Sequence, residues 1–126
     1  MKVIEYEYAV KYLEKMGVEA NLYKLLIYEE GGHFLPHRDT EKEPGMFATY
    51  LMQLPTTMGY TGGSLVIKNE EYDFSNATTN SNAFHEVAFY ADCEHELLPI
   101  TSGWRVVLAF NLIWKKNYPD MTSQQM

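Results

Sequence analysis

A single cysteine, Cys93, is all the sequence offers for covalent bracing, so an internal disulfide framework is excluded and a reducing compartment is favoured. Because Cys93 stands in a run of alternating apolar residues, it reads as a small buried side chain and not as a reactive thiol. No hydrophobic run approaches the ~20 residues a membrane-crossing helix requires. The opening Met1-Lys2-Val3-Ile4-Glu5 reaches an acidic residue before any apolar signal core can form, so the expected location is cytoplasmic, with no membrane partner. Positive charge is also scarce. Ten Lys and Arg face 17 Asp and Glu, for a net charge of −7, which leaves no basic stripe to neutralise the phosphates of DNA or RNA. That balance argues against a nucleic-acid partner and favours, weakly, a basic or neutral protein substrate. Internal repeats, heptad seams and linkers are missing as well. Without an export signal, Asn76-Ala77-Thr78 is a chance match to a glycosylation acceptor.

What is present suits one packed core. The chain has 126 residues, 46% hydrophobic and 14% aromatic, and we expect a single domain over residues 1–126. Tyr6, Val10, Leu13 and Met16 recur at helical spacing over Glu5 to Met16, and Gly17 supplies a stop. This predicts a supporting helix within residues 1–21. A barrel core over 22–114 and a tail over 115–126 follow. From Leu22 onward the punctuation is that of a β protein, with runs at Leu22–Tyr28, Phe34–His37, Met46–Leu54, Ser64–Lys68, Glu86–Ala91, Glu96–Ile100 and Trp104–Trp114. Turns are expected at Gly31-Gly32, Pro44-Gly45, Gly59 to Gly63 and Ser102-Gly103. The predicted fold is mainly β, a double-stranded β-helix of the jelly-roll or cupin-like kind, backed by one N-terminal helix. The stretch Ser75 to Ala83 lacks large apolar residues and reads as a surface loop.

Four side chains carry the chemistry: His37 and Asp39, one residue apart, then His95, then Arg105. Residues i and i+2 of an extended chain point to one face, so His37 and Asp39 can bind one metal from a strand end, and Pro36 keeps that segment out of a helix. His95 ends the run Val87, Phe89, Ala91, Cys93, on a distant strand that a barrel can bring alongside. Two imidazoles and one carboxylate leave half of an octahedral coordination sphere open, the ligand set of non-haem Fe(II) oxygenases. Arg105 opens the last strand, sharing a face with Val107, Ala109 and Asn111. A guanidinium buried there needs an anion, and a carboxylate-bearing co-substrate provides one.

The segment Tyr28 to Thr40 (Tyr-Glu-Glu-Gly-Gly-His-Phe-Leu-Pro-His-Arg-Asp-Thr), Gly62 to Ile67, Phe89 to Glu96 and Thr101 to Arg105 together resemble the 2-oxoglutarate and Fe(II)-dependent dioxygenases, in the prolyl 4-hydroxylase-like branch. The likeness runs from about Tyr23 to Trp114. It implies that His37, Asp39 and His95 ligate iron and that Arg105 holds the distal carboxylate of 2-oxoglutarate. Tyr28 is implied as a second contact to that carboxylate, and Thr49 and Gln53 as further polar contacts. Gly62-Gly63 matches the family's turn before the strand that packs under the site, a structural role. The implied cofactors are Fe(II), 2-oxoglutarate and O2, with ascorbate as a candidate reductant. The implied reaction hydroxylates a C–H bond, that of a prolyl residue in a protein or peptide, and releases succinate and CO2. Members usually carry more helix and strand ahead of the motif, so this chain looks like a minimal or trimmed catalytic core.

Other conspicuous residues receive plainer readings. His33 and His85 lie in or beside polar or Gly-rich loops, Glu94 and Glu96 read as solvated, and Asp92 as a turn residue. Tyr50, Met52, Phe89, Tyr90 and Phe110 read as core, one or two of them lining the pocket, while Trp104 and Trp114 are expected to pack at the ends of the last strand. Three rival functions share the metal site. A cupin-like zinc enzyme has no use for the Arg105 clamp. A non-catalytic metal-stabilised interaction module is favoured if the short N-terminal segment leaves the barrel unable to close around substrate, and a nucleobase demethylase is opposed by the net charge.

Overall fold

The computed structural model describes residues 13–75 and 85–115, and these form ten strands. Two segments are long and apolar enough to be covered on both sides: β3 (Met46–Leu54) and β10 (Arg105–Trp114). They pair with each other at the centre of a four-stranded antiparallel sheet, flanked by β1 (Val18–Tyr28) and β7 (His85–Tyr90) in the order β1-β10-β3-β7. The second sheet is built from shorter strands in the order β2-β8-β5-β6: β2 (Phe34–His37), β8 (His95–Leu97), β5 (Leu65–Ile67) and β6 (Glu70–Tyr72). A ribbon of β4 (Tyr60–Gly62) and β9 (Ile100–Gly103) completes the set.

Side chains from both sheets meet between them. Leu51, Phe89, Val107 and Ala109 of the large sheet pack with Leu65 and Leu97 of the small one, and Cys93 joins this cluster as a buried apolar residue. The outer face of the large sheet carries a second cluster, Val18, Ala48, Tyr50, Met52, Phe110 and Leu112, against which Leu13 packs. Leu13 belongs to a helical turn over residues 13–15, which stops where Gly17 adopts φ +80°. Helical support on an outer face and a core between two antiparallel sheets make up the expected double-stranded β-helix.

Several elements differ from expectation. The first strand starts at Val18 and not at Leu22. The stretch Gly59 to Gly63, expected as a turn, contains β4, and Ser102-Gly103 lies within β9. The run Glu96–Ile100 is divided into β8 and β9 at Leu98 and Pro99, where proline has no N–H for a ladder and Leu98 N–H instead donates to Ser64 O at 2.9 Å. Tyr90 is 65% exposed and not core, because it points outward from β7, an edge strand. Trp104 is 52% exposed, and Trp114, 43% exposed, covers only part of its surface by stacking on Phe47 with ring centroids 4.5 Å apart. The expected helical residues 5–12, the loop over 76–83 with its acceptor-like triplet, and the tail beyond residue 115 lie outside the described residues. Among the described residues, no helix is long and apolar enough to cross a membrane.

Candidate metal centre and the buried arginine behind it

The short edge strand β2 delivers His37 at its last position. Pro36 is tolerated there because β2 pairs with β8 alone, and the register slips between Phe34↔Leu97 and His37↔His95, a bulge that re-aims the strand end. His37 and His95 are therefore direct cross-strand neighbours, with ring centroids 4.4 Å apart. Asp39 follows immediately. Its N–H donates to Ala91 O at 2.9 Å, Ala91 N–H donates to Phe47 O at 3.0 Å, and Arg38 Nε donates to Asp92 O at 2.9 Å, so the turn after β7 clamps the segment.

His37 Nε2 and His95 Nε2 each lie 3.5 Å from Asp39 Oδ1, and the three donor atoms fall within 4.8 Å of one another. Among the described residues this is the one cluster of three potential metal ligands. Each imidazole is oriented from behind: His37 Nδ1–H donates to Leu35 O and His95 Nδ1–H to Cys93 O, both at 3.0 Å. Those bonds fix the tautomer that leaves the Nε2 lone pair free for a metal. Thr49 Oγ1 donates to Asp39 Oδ2 at 2.5 Å, which occupies one carboxylate oxygen and leaves Oδ1 facing the histidines. In the metal-free protein, where a protonated His95 also carries a proton on Nε2, burial favours the neutral Asp39 carboxyl, but hydrogen bonds from His95 and Thr49, aided by the charges of His95 and Lys42, hold its pKa at about 2. An ionised carboxylate with two oriented imidazoles fits a divalent transition metal such as ferrous iron, with coordination positions to spare.

Arg105, 2% exposed, opens β10 in the same cavity. Among the described residues no carboxylate pairs with it. Its Nε donates to Gln53 Oε1 at 3.2 Å, and its guanidinium carbon lies 5.5 Å from the centre of the Tyr28 ring. Gln53 is itself fixed: its Oε1 also accepts from Tyr60 OH at 2.7 Å, and its Nε2 donates to Phe74 O at 3.2 Å. Burial raises the Tyr28 pKa, partly offset by Arg105, so the phenol stays protonated and able to donate. Phe34, Leu51, Leu65, Phe89 and Val107 line an apolar wall of this cavity of about 340 Å³, which also holds His37, Asp39, His95 and Arg105.

All seven residues singled out from the sequence thus converge on one region, though Thr49 and Gln53 contact Asp39 and Arg105. His33 and His85 stay outside the metal cluster; His33 is tied to Gly31 O at 2.9 Å. Sequence reasoning missed Tyr60, hidden in a stretch expected to be a turn, and it missed Lys24, Lys42, Tyr23 and Asn111 on the cavity wall. Asn111 alone carried a signal, since it shares the Arg105 face of β10.

Residues 23–113 match the family model of the 2OG-Fe(II) oxygenase superfamily. No curated protein matches the chain in sequence. Among solved structures, it is similar to an oxidoreductase of the 2OG-Fe(II) oxygenase family from Burkholderia pseudomallei (TM-score 0.59, 13% identity, covering 86% of this chain and 51% of that one). It is also similar to a Pseudomonas putida prolyl-4-hydroxylase (0.54, 18%, 90% and 63%). A third is a viral collagen prolyl hydroxylase from Paramecium Bursaria Chlorella virus-1, in a complex with 2OG (0.53, 15%, 87% and 70%). At these identities the likeness shows the fold. The chain spans about half the length of the first of these and 70% of the third.

Proposed function

Because the chain belongs to the 2OG-Fe(II) oxygenase superfamily, whose members use Fe(II), 2-oxoglutarate and O2, we propose that it is a dioxygenase that hydroxylates a prolyl residue of a protein or peptide. Succinate and CO2 are the co-products in this reading, and residues 1–126 act as one catalytic domain. The observation that carries it is Arg105: a buried guanidinium with no carboxylate partner among the described residues, facing the cavity that holds the His37, Asp39 and His95 cluster. Such a charge is costly to bury until an anion meets it, and a zinc hydrolase has no need of it. The prolyl target rests on similarity to a prolyl-4-hydroxylase and a collagen prolyl hydroxylase, at 18% and 15% identity.

His37, Asp39 and His95 would hold the iron, which when bound couples oxidative decarboxylation of 2-oxoglutarate to hydroxylation of the second substrate. Arg105 grips the distal carboxylate of 2-oxoglutarate, and Tyr28 OH donates to it. Gln53 and Tyr60 act one step back, orienting the guanidinium, while Thr49 orients Asp39. The apolar wall of Phe34, Leu51, Leu65, Phe89 and Val107 excludes water around these charges.

Anaerobic titration with Fe(II) and 2-oxoglutarate tests this directly. A visible charge-transfer band should develop, and admission of oxygen should yield succinate. A peptide screen for the mass gain of one oxygen then tests the prolyl assignment. Iron demonstrably bound with neither band nor succinate would reject the reaction class.

A further inference from the structure

Resting on the oxygenase reading, we propose that the cavity mouth recognises a carboxylate on the second substrate, which is a peptide bearing Asp or Glu beside the residue oxidised. The chain as a whole is acidic, with 17 acids against ten Lys and Arg. Its cavity reverses that sign. Among the described residues, Lys24, Arg38, Lys42 and Arg105 line it, and Asp39 is the only acid. Two of these five charges are committed, Asp39 to the metal and Arg105 to the co-substrate. That leaves Lys24, Arg38 and Lys42, all at the exposed end, with nothing in the reaction to neutralise them.

Their surroundings do not neutralise them either. Among the described residues the three make one ion pair, Lys42 Nζ to Asp39 Oδ1 at 4.0 Å. Arg38 spends its Nε on a backbone carbonyl, that of Asp92. Of the two acids that flank Lys42, Glu43 is turned onto the amides of Asn21 and Asn111, at 3.2 Å from each, and Glu41 is exposed and makes no ion pair with it. Lys24 and Lys42, from segments far apart in sequence, both rest on the ring of Tyr23, with Nζ 5.1 and 5.5 Å from its centroid. Gathering two ammonium groups around one aromatic ring of a net-negative protein prepares a place for an anion.

The distances also set where that anion sits on the substrate. Lys42 Nζ lies beside a metal-ligand oxygen, and an extended peptide advances about 3.3 Å per residue. An acidic side chain that meets Lys42 therefore belongs to a residue one or two positions from the carbon presented to the metal. The weak preference for basic partners suggested by net charge is overruled at the site by local charge.

The test is equilibrium binding, read by fluorescence anisotropy on the full chain, both metal-free and loaded anaerobically with Fe(II) and 2-oxoglutarate. The probes are labelled peptides Ala-Glu-Pro-Glu-Ala, Ala-Gln-Pro-Gln-Ala and Ala-Lys-Pro-Lys-Ala. At low salt the glutamyl peptide should bind about tenfold more tightly than the glutaminyl one, and the gap should narrow as ionic strength rises to about 0.15 M. Lys24→Glu and Lys42→Glu should each shrink the gap, and the double variant should close or invert it. Lys24→Glu makes no contact with Asp39 and so serves where Lys42→Glu disturbs the metal ligand. Equal affinities, a preference for the lysyl peptide, no saturable binding of any peptide, or an acidic preference intact in the double variant would each overturn the proposal. Because the readout is binding and needs no turnover, its failure is distinct from a failure to form succinate.

Discussion

Asp39 has two carboxylate oxygens with different jobs: Oδ1 faces both histidines and Oδ2 accepts from Thr49. Replacing Thr49 by valine keeps the volume and removes the hydroxyl, which frees Oδ2 and loosens the carboxylate. Bonds of this orienting kind are worth about 10- to 100-fold in metal affinity. We expect Thr49→Val to weaken divalent-metal binding by at least tenfold with little change in fold, as measured by titration with a spectroscopically visible ion. The same cluster sets a pH dependence in the metal-free protein. Burial opposes the His95 imidazolium, but the bonds to Asp39 and Cys93 O and the charge of Asp39 outweigh it and raise the pKa above its ordinary 6.5. A raised folded-state pKa means the stabilisation is complete below 6.5 and is lost as pH rises through the folded value. Asp39, depressed from 3.8 to about 2, contributes above 3.8 and loses its contribution as pH falls towards 2. Melting temperature of the metal-free protein should therefore decline above pH ~6.5, and His95→Gln should flatten that decline. Metal affinity should climb over the same window, because a proton and a metal compete for the same Nε2. A melting temperature that rises there would contradict the arrangement.

At the scale of elements, the site depends on how tightly the chain can turn at the end of β4. Gly62 sits at φ +72°, and a Cβ built on it would lie 2.6 Å from Pro99 O and 2.9 Å from Thr101 N. Both are backbone atoms that cannot rotate away. Gly62→Ala should cost about 2 kcal/mol or more in denaturant unfolding, through strain and contact together. The effect should also reach Arg105 through the β4–β9 ribbon that positions Tyr60. Gly62 was legible as a glycine at a chain reversal, although it closes β4; β2, which ends at the candidate ligand His37, and the unbroken apolar run of β10 behind Arg105 were legible as strands. What stayed hidden has physical causes. Strands β4 and β6 have three residues each, too few for a period to register, and β4 is embedded among glycines. Tyr90 is as apolar as its neighbour Phe89, and only the edge position of β7 decides that it faces solvent. The cationic mouth could not be read from β1 at all. A register shift between Leu22 and Lys24 inserts Tyr23, and from there Lys24, Leu26 and Tyr28 share the cavity side with Ala109, Val107 and Arg105. A one-residue bulge that flips a face leaves no trace in composition.

For the whole molecule, the same buried charge that makes the site useful makes the ligand-free fold weaker than its packing allows. Arg105 lies among Gln53, Tyr28 and Val107, without an acidic partner among the described residues, while the sheet around it is otherwise an apolar core. Burying one unpaired ion costs about several kcal/mol of desolvation, which an apolar side chain of similar length does not incur, so Arg105→Met should melt no lower than the wild type when both are ligand-free. Addition of metal and 2-oxoglutarate should invert the order. A ligand present at ~100 times its dissociation constant stabilises the native state by about 2.7 kcal/mol, which for a domain of this size moves the melting temperature by several degrees. The wild type should show that shift with 2-oxoglutarate only when metal is present, since in the proposed reading the diacid is anchored at Arg105 and at the ion. Arg105→Met should keep the metal-induced shift and lose the one due to 2-oxoglutarate. Thermal melts of both proteins, with metal alone, diacid alone and the two together, would separate these outcomes. An Arg105→Met protein that still gains several degrees from 2-oxoglutarate would mean that the diacid is held elsewhere.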